Sequence, residues 1–260
     1  MKTFVINLKK REDRKKHVQE TYPKIPFMDM EIIQACDGKE PKNNTKQMNQ
    51  EVINFIELMT KNNNTLNGIK YGELGCWVSH FSIWKKMISE NIDRALILED
   101  DLTEFHDNFE SILKDLTTIE SDKYHIIWLN FLHCATKDPT KLTPNVYYGK
   151  HANINSFYGT YGYILSLNGA KFLLNYINNL YKNQTICGID TFMIQSLYKE
   201  NIDCHYTYNK LVNTRVQGGI MTDKDLNKKD ITYTDIQIHR GYDIKNGINN
   251  YKANVNLYLK

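Results

Sequence analysis

Three adjacent acidic side chains directly follow a short apolar run in this sequence. Ala95 to Leu98 are apolar, and Glu99, Asp100 and Asp101 come next without a break. Two like charges about 4 Å apart repel by roughly 4 kcal/mol at an effective dielectric constant of about 20, so the cluster needs compensation. Water around a surface loop would supply it, and so would a hard divalent cation, which prefers oxygen ligands. The triplet alone therefore predicts either a solvated loop or a metal site.

The spacing of these acids determines which of them would share a cation. Side chains alternate between the two faces of an extended strand. If the strand continues through the acids, Glu99 and Asp101 point to one side and Asp100 to the other. We therefore predict Glu99 and Asp101 as a pair of metal ligands.

Polar residues also follow two other apolar segments. Asn7 and Arg11 follow the first run, FVINL, and Asp37 and Gly38 end the second, MEIIQACDG. In open α/β sheets, ligands bind outside the carboxyl ends of the strands, so these groups and the acids are predicted to line one crevice for a nucleotide-type ligand. Each group alone also fits a surface position, with Arg11 and Arg14 on a solvated helix face and Asp37-Gly38 in a plain turn.

Other kinds of chemistry find less support in the sequence. Neither glycine-rich phosphate-binding motif occurs, so a metal would have to hold a diphosphate. Ser79 and His80 are adjacent on a predicted helix and do not face each other, which argues against a nucleophilic pair. The sequence offers no catalytic partner for His133-Cys134, which argues against a nucleophilic pair there as well. The five cysteines are widely spaced without a C-x-x-C pair, so we predict reduced thiols and neither disulfides nor a zinc site.

Strands and helices that alternate along the chain must position these residues. Strands are predicted at FVINL, MEIIQACDG, RALILEDD, YHIIWLN and GTYGYILS, and helices lie between and after them. This order is typical of an α/β sheet flanked by helices. Trp77, Phe81, Trp84 and Ile88 fall at helical spacing and are predicted to face the core.

The chain of 260 residues is 41% hydrophobic and 24% charged, which suits one globular domain. We predict that residues 1–222 form it, with a surface excursion at 39–70, and that 223–260 are a C-terminal extension packed on it.

A net charge of +3 is too weak to indicate nucleic-acid binding. No apolar run has the length of a membrane span or a signal peptide, so a cytoplasmic protein without a membrane segment is expected. Peripheral membrane association, a viral source and the oligomeric state stay open.

Several motifs in order resemble those of glycosyltransferase family 25, which includes lipopolysaccharide galactosyltransferases and collagen hydroxylysine galactosyltransferases. The motifs are FVINLKKREDR, ACDG, GELGCWVSH, ALILEDD, GTYGYILSLNGAKFLL and GID, and they span about Phe4 to Phe192. Their form is most similar to the collagen-modifying branch, which has relatives in large DNA viruses. The resemblance implies a GT-A-like, Rossmann-type α/β fold, a UDP-sugar donor, dependence on Mn²⁺ or Mg²⁺, and transfer with inversion.

The resemblance also assigns roles to particular residues. The family's acidic metal motif falls on Glu99 to Asp101, with Glu where Asp is usual, so whether Glu99 contacts metal or ribose is open. Asp100 joins Asn7, Arg11, Asp37 and Gly38 in donor binding. In the segment VNTRVQGG, Gln217 resembles a Gln on the family's donor side.

Asp190, in GID where the family often has PVD, is our candidate for the general base that an inverting transfer needs. A charge at a helix start, favoured by the helix dipole, would equally explain this residue. The predicted function is hexosyl transfer, with galactose ahead of glucose, from a UDP-sugar to a glycan or hydroxylysine-type protein acceptor. The alternatives are a non-catalytic glycan- or nucleotide-binding module and a nucleotidyltransferase that makes sugar nucleotides.

Overall fold

The computed structural model describes residues 1–39, 54, 71–130, 136–151, 159–182 and 188–213. The helices are α1 (Glu12–Thr21), α2 (Tyr71–Ser89), α3 (Phe109–Thr118), α4 (Leu167–Lys182) and α5 (Ile189–Lys199), with a 3₁₀ turn at Ser121–Lys123. The strands are β1 (Lys2–Asn7), β2 (Asp29–Gln34), β3 (Arg94–Glu99), β4 (Glu104–Phe105), β5 (Ile126–Trp128), β6 (Thr136–Lys141), β7 (Val146–His151), β8 (Gly162–Ser166), β9 (Cys204–Thr207) and β10 (Val212–Asn213).

Eight of these strands form one mixed sheet in the order β2-β1-β3-β8-β5-β9-β7-β6, while β4 and β10 pair separately. Strand β1 is parallel to both β2 and β3, and β8 runs antiparallel between β3 and β5. Strand β9 is parallel to β5. As a result β1, β2, β3, β5 and β9 all end at one edge of the sheet, and β8 begins there.

The hydrophobic core lies on both faces of this sheet because successive strand residues point to opposite sides. In β3, Ala95 and Ile97 pack in a cluster with α2, α4 and α5. Leu96 and Leu98 pack in a second cluster with residues of α1 and α3. The sheet is therefore the middle layer of three, and its strand ends are free to carry polar groups.

The architecture confirms the predicted α/β fold with one mixed, Rossmann-like sheet and flanking helices. The predicted core stripe of α2 is also confirmed, since Trp77, Phe81 and Trp84 are buried and Ile88 packs against them. Residues 40–53, 55–70 and 214–260 lie outside the described part, so the predicted excursion and C-terminal extension stay predictions. None of the helices that the structure describes combines the length and apolar character needed to span a membrane.

Candidate active site

A cleft lies at the sheet edge where β1, β2 and β3 end, between these strand ends and helix α2. It has an empty volume of about 680 Å³, part of which is open to solvent. Four of the predicted residues line it together, namely Asp37, Gly38, Glu99 and Asp100. They converge because three parallel neighbouring strands deliver their carboxyl ends to the same place.

Helix α2 reaches the cleft through a close contact at Gly75. A Cβ atom at this position would lie 2.6 Å from the carbonyl oxygen of Cys36, so a larger residue would force the helix away. One turn later the Ser79 hydroxyl accepts a hydrogen bond from the Cys36 N–H at 2.9 Å. The same face of α2 carries Cys76 and His80, which are four residues apart and both line the cleft.

Asp100 and Asp101 lie on one side of the acidic segment, beside a buried arginine. The Arg14 Nη1 donates to Asp100 Oδ1 at 2.7 Å and lies 3.7 Å from Asp101 Oδ2. Asn7 donates a second hydrogen bond to Asp100 at 2.7 Å. Within the described residues, neither carboxylate oxygen of Asp101 has a hydrogen-bond partner, although its side chain is only 1% exposed.

Burial dominates the protonation of these two acids. It raises the pKa of Asp100, and the attraction of Arg14 and the hydrogen bond from Asn7 only partly oppose it. Burial likewise raises the pKa of Asp101 to about 8, against the attraction of Arg14 and with added repulsion from Glu99 and Asp100. Without a bound cation, Asp101 is therefore largely protonated at neutral pH.

Glu99 faces the opposite side, toward helix α2 and the start of β8. The Thr160 hydroxyl donates to its Oε1 at 2.6 Å, and His80 Nε2 lies 3.8 Å from the same oxygen. Desolvation acts to raise the pKa of Glu99, but the neighbouring His80, the hydrogen bond from Thr160 and the more distant Arg14 together lower it. Of the three acids, Glu99 is therefore the one whose pKa is lowered by its surroundings.

The chain turns immediately after Glu99, which explains why the three acids separate as they do. Strand β3 ends at Glu99, and Asp100 and Asp101 lie in a turn. The Tyr22 hydroxyl closes this turn by donating to the Glu99 carbonyl and accepting from the Leu102 N–H at 3.1 Å. The strand does not continue through the acids, so their side chains do not alternate between two faces. The Asp101 side chain instead lies on the same side as Asp100, opposite Glu99.

Asp190 lies in the first turn of α5 and contacts the segment that leads into β8. Its Oδ2 accepts from the Gly159 N–H at 2.9 Å, and its Oδ1 accepts from the Thr191 N–H at 2.7 Å. Gly159 has a φ of +96°, a conformation that other residues rarely adopt. Because the next residue, Thr160, bonds Glu99, this short segment connects Asp190 to the acidic strand end.

The remaining predicted donor residues are placed differently. Asn7 lies behind the cleft, where it orients Asp100. Arg11 pairs with Asp13 at 2.8 Å and does not line the cleft, whereas Lys10 lines it and pairs with Asp37 at 2.7 Å. Desolvation acts to raise the pKa of Asp37, but Lys10 and the Lys39 N–H together lower it. Gln217 lies outside the described residues, as do His133 and Cys134.

The donor chemistry at this strand end fits a divalent cation. The two buried oxygens of Asp101 lack hydrogen bonds within the described part of the chain, and a cation would satisfy them. Glu99, two residues earlier in the sequence, contributes an ionised carboxylate. Among the described residues, one set of three potential metal ligands lies within 4.8 Å, and it joins Glu99 to Cys76 and His80.

Sequence reasoning missed four of the residues that build the site. A solvated helix face is one of the positions that the sequence allows for Arg14, yet the residue is 5% exposed and bonds Asp100. The pair Cys76 and His80 has the i, i+4 spacing of one helix face, which could have been noticed. Thr160 carries no such signal, because its partner Glu99 becomes its neighbour only through the antiparallel pairing of β3 with β8.

Comparison with known proteins agrees with this architecture. The model of glycosyltransferase family 25 (LPS biosynthesis protein) matches residues 1–193. Procollagen galactosyltransferase 2 of Homo sapiens is 31% identical over 175 residues, which are 66% of this chain and 27% of that protein. Procollagen lysyl hydroxylase and glycosyltransferase of Acanthamoeba polyphaga mimivirus is 28% identical over 233 residues, which are 81% of this chain and 24% of that protein.

A Drosophila melanogaster glycosyltransferase 25 family member is 29% identical over 174 residues, 66% of this chain and 27% of that protein. The chain thus spans about a quarter of the length of these curated relatives. The family match covers the strands and helices that build the cleft, from β1 to the start of α5. This chain belongs to glycosyltransferase family 25.

Proposed function

We propose that this chain is a metal-dependent, inverting hexosyltransferase that uses a UDP-sugar. Galactose is the proposed sugar, with glucose next, and the proposed acceptor is a glycan or a hydroxylysine-type protein side chain. The names of two relatives, a procollagen galactosyltransferase and a procollagen lysyl hydroxylase and glycosyltransferase, support this choice. The observation that carries the proposal is the placement of Asp37, Gly38, Glu99 and Asp100 in one cleft at the sheet edge.

The donor nucleotide is assigned to the half of the cleft formed by β1 and β2. Asp37 and Gly38 line this half of the cleft and are the proposed contacts to the uridine, in keeping with ligand binding at strand ends. Lys10 adds a positive charge for the diphosphate from the same wall. Asn7 acts through Asp100, and Arg11 and Gln217 are retained as proposed donor contacts.

Glu99 and Asp101 are retained as the proposed ligands of a divalent cation, although they face opposite sides of the turn in this structure. Such a cation would neutralise charge on the departing diphosphate as a Lewis acid. Arg14 supplies a positive charge from within the protein, at 2.7 Å from Asp100 and 3.7 Å from Asp101. Tyr22 holds the turn that presents them. These residues together prepare a site in which negative charge on the leaving group is stabilised.

Asp190 is the proposed general base on the acceptor side. Its carboxylate takes the proton of the acceptor hydroxyl, whose oxygen attacks C1 of the sugar as the bond from C1 to the diphosphate breaks. UDP leaves with the electron pair, and inversion follows from attack opposite the leaving group. The N–H groups of Gly159 and Thr191 orient the carboxylate for this role.

Calorimetric titration with UDP and Mn²⁺ tests the donor site. Asp101→Ala should abolish the metal-dependent part of UDP binding and leave the fold intact. Asp93→Ala is the matched control, because Asp93 is an exposed acid that precedes the opposite end of β3. Unchanged UDP affinity in Asp101→Ala would refute the role of Asp101.

Kinetics of the Asp190→Asn variant test the proposed base. The substitution keeps the size of the side chain and removes its basicity. It retains one of the two hydrogen bonds from backbone N–H groups, because the amide nitrogen of asparagine cannot accept the other. UDP-sugar binding should stay near normal while the transfer rate falls by about 10²–10⁴-fold. Loss of donor binding with an unchanged rate at saturation would move Asp190 to the donor site.

A screen of UDP-sugars, with the released product identified, tests the reaction class. The transferase releases UDP in the presence of an acceptor and a divalent cation. Release of pyrophosphate, or binding without turnover, would contradict the proposal.

A further inference from the structure

The wall of α2 that faces Glu99 combines a thiol, an imidazole and a carboxylate. Cys76 Sγ, a ring nitrogen of His80 and a carboxylate oxygen of Glu99 all lie within 4.8 Å of one another. Two come from one helix face at i, i+4, and the third comes from the end of β3. A set of sulfur, nitrogen and oxygen donors is typical of Zn²⁺ and Co²⁺, whereas Mn²⁺ and Mg²⁺ prefer oxygen alone.

A second observation indicates that a ligand belongs in this cluster. His80 is 1% exposed, and its Nε2 has no hydrogen-bond partner among the described residues. Glu99 Oε1 lies 3.8 Å from this nitrogen, which is too far for a hydrogen bond. A buried ring nitrogen without a hydrogen bond, 3.8 Å from a carboxylate oxygen, is a costly arrangement that a cation bound between the two atoms would relieve.

The other ring nitrogen of His80 already has a hydrogen-bonding partner, as is usual for a metal-binding histidine. His80 Nδ1 lies 2.7 Å from the Tyr163 hydroxyl, which also accepts a hydrogen bond from Trp84 Nε1 at 3.2 Å. A hydroxyl oxygen has two lone pairs, so it can accept from both nitrogens and leave the lone pair on Nε2 for a metal. Such outer hydrogen bonds orient the imidazole of metal sites.

The dimensions also suit a tetrahedral ion. Bonds of about 2.0–2.3 Å from Zn²⁺ to its ligands place those ligands about 3.3–3.8 Å apart. The 3.8 Å between His80 Nε2 and Glu99 Oε1 is already at this spacing. The full cluster, whose ligand atoms lie within 4.8 Å of one another, needs to contract by at most about 1.0–1.5 Å. Three protein ligands would leave the fourth position open to water or a bound molecule.

We propose that Cys76, His80 and Glu99 form a site for a thiolate-binding divalent cation such as Zn²⁺ or Co²⁺. The Cys76 thiol loses its proton to solvent on binding and its sulfur bonds the metal. Glu99 is common to this set and to the proposed oxygen site with Asp101, but Cys76 and His80 are not. This proposal does not rest on sugar transfer, because cation binding can be measured without a donor or an acceptor.

Absorption of the Co²⁺-loaded protein tests the site without nucleotide or sugar. Added Co²⁺ should produce a thiolate-to-cobalt charge-transfer band with one cobalt per chain, and Zn²⁺ should displace it. Cys76→Ser should abolish the band. Cys204→Ser is the control and should keep it, because Cys204 is also a free cysteine but is buried on β9, away from the cluster.

Variants of the other two ligands keep the test decisive if Cys76→Ser folds poorly. His80→Gln and Glu99→Gln should each weaken Co²⁺ binding by about 100-fold or more, beyond the 10–100-fold cost of losing an outer hydrogen bond. Circular dichroism would verify their folding. No band in the native chain, a band that survives Cys76→Ser, or unchanged Co²⁺ affinity in both glutamine variants would overturn the proposal. UDP titration with Mn²⁺ reports separately on the donor site.

Discussion

The two sides of the acidic segment differ in how the protein treats a buried carboxylate. On one side, Asp100 and Asp101 are buried next to Arg14, and burial raises the pKa of each. On the other side, one residue away, Glu99 meets the Thr160 hydroxyl and His80, and its pKa is lowered despite desolvation. The protonation of adjacent acids is therefore set by the donors on each side and not by depth alone.

This difference indicates that Glu99 and Asp101 begin in different protonation states. Glu99 is ionised before any ligand arrives, whereas Asp101 must lose a proton before it can bind a cation as a carboxylate. Four substitutions can break or sharpen this contrast.

Removal of the buried arginine should have the largest effect on stability. Arg14→Met leaves Asp100 without its buried cation, and loss of one partner of a buried ion pair costs about 3–5 kcal/mol. Arg11→Met is the matched control, because Arg11 pairs with the half-exposed Asp13 and should cost less than about 1 kcal/mol. Urea unfolding at pH 7 measures both, and equal losses would contradict the role given to Arg14.

Asp101→Asn should stabilise the metal-free protein as the pH rises. The pKa of Asp101 is raised from about 3.8 to about 8 on folding, so between these values the native state binds more protons than the unfolded state. The free energy of unfolding therefore falls as the pH rises through this window, and asparagine removes that loss. We expect a gain of up to about 4 kcal/mol at pH 8 and above, which shrinks toward pH 4. Unfolding of chelator-treated protein across this range measures it, and a gain that is independent of pH would contradict the explanation.

Glu99→Gln should show the opposite pH dependence. Folding lowers the pKa of Glu99 below its usual 4.5, so its contribution to stability is present above that value and is lost as the pH falls through the folded pKa. We expect a loss of up to about 3 kcal/mol at pH 7, as for a hydrogen bond to a charged group, which disappears in acid. The same unfolding series measures this loss, and a gain at pH 7 would remove the distinction between the two sides.

Thr160→Val should give the smallest effect. It deletes the hydroxyl that donates to Glu99 at 2.6 Å, which costs about 1 kcal/mol and moves the pKa of Glu99 upward. Thr160→Ser keeps the hydroxyl and is the control. NMR titration of the Glu99 carboxyl group reports the shift directly, and identical titrations in both variants would show that Thr160 does not hold the charge.

The fold was more predictable from the sequence than the detailed site. Apolar runs that end in polar residues correctly located β1, β2 and β3, and the rule that ligands bind at strand ends correctly grouped Asp37 with Glu99. The separation of Glu99 from Asp101 was not predicted, because it depends on a turn held by Tyr22 from α1. Contacts between distant segments, such as that of Arg14 with Asp100, leave no local pattern.

The dipeptide Gly159-Thr160 has a consequence for how the site could be redesigned. Asp190 and Glu99 lie on different elements, yet they are bonded to consecutive residues, whose Cα atoms are about 3.8 Å apart in any trans peptide. One dipeptide therefore links the proposed base to the acidic strand end, through a hydrogen bond at each of its two residues. An insertion between positions 159 and 160 would lengthen that link while the sheet stayed intact, and so adjust the gap available to an acceptor.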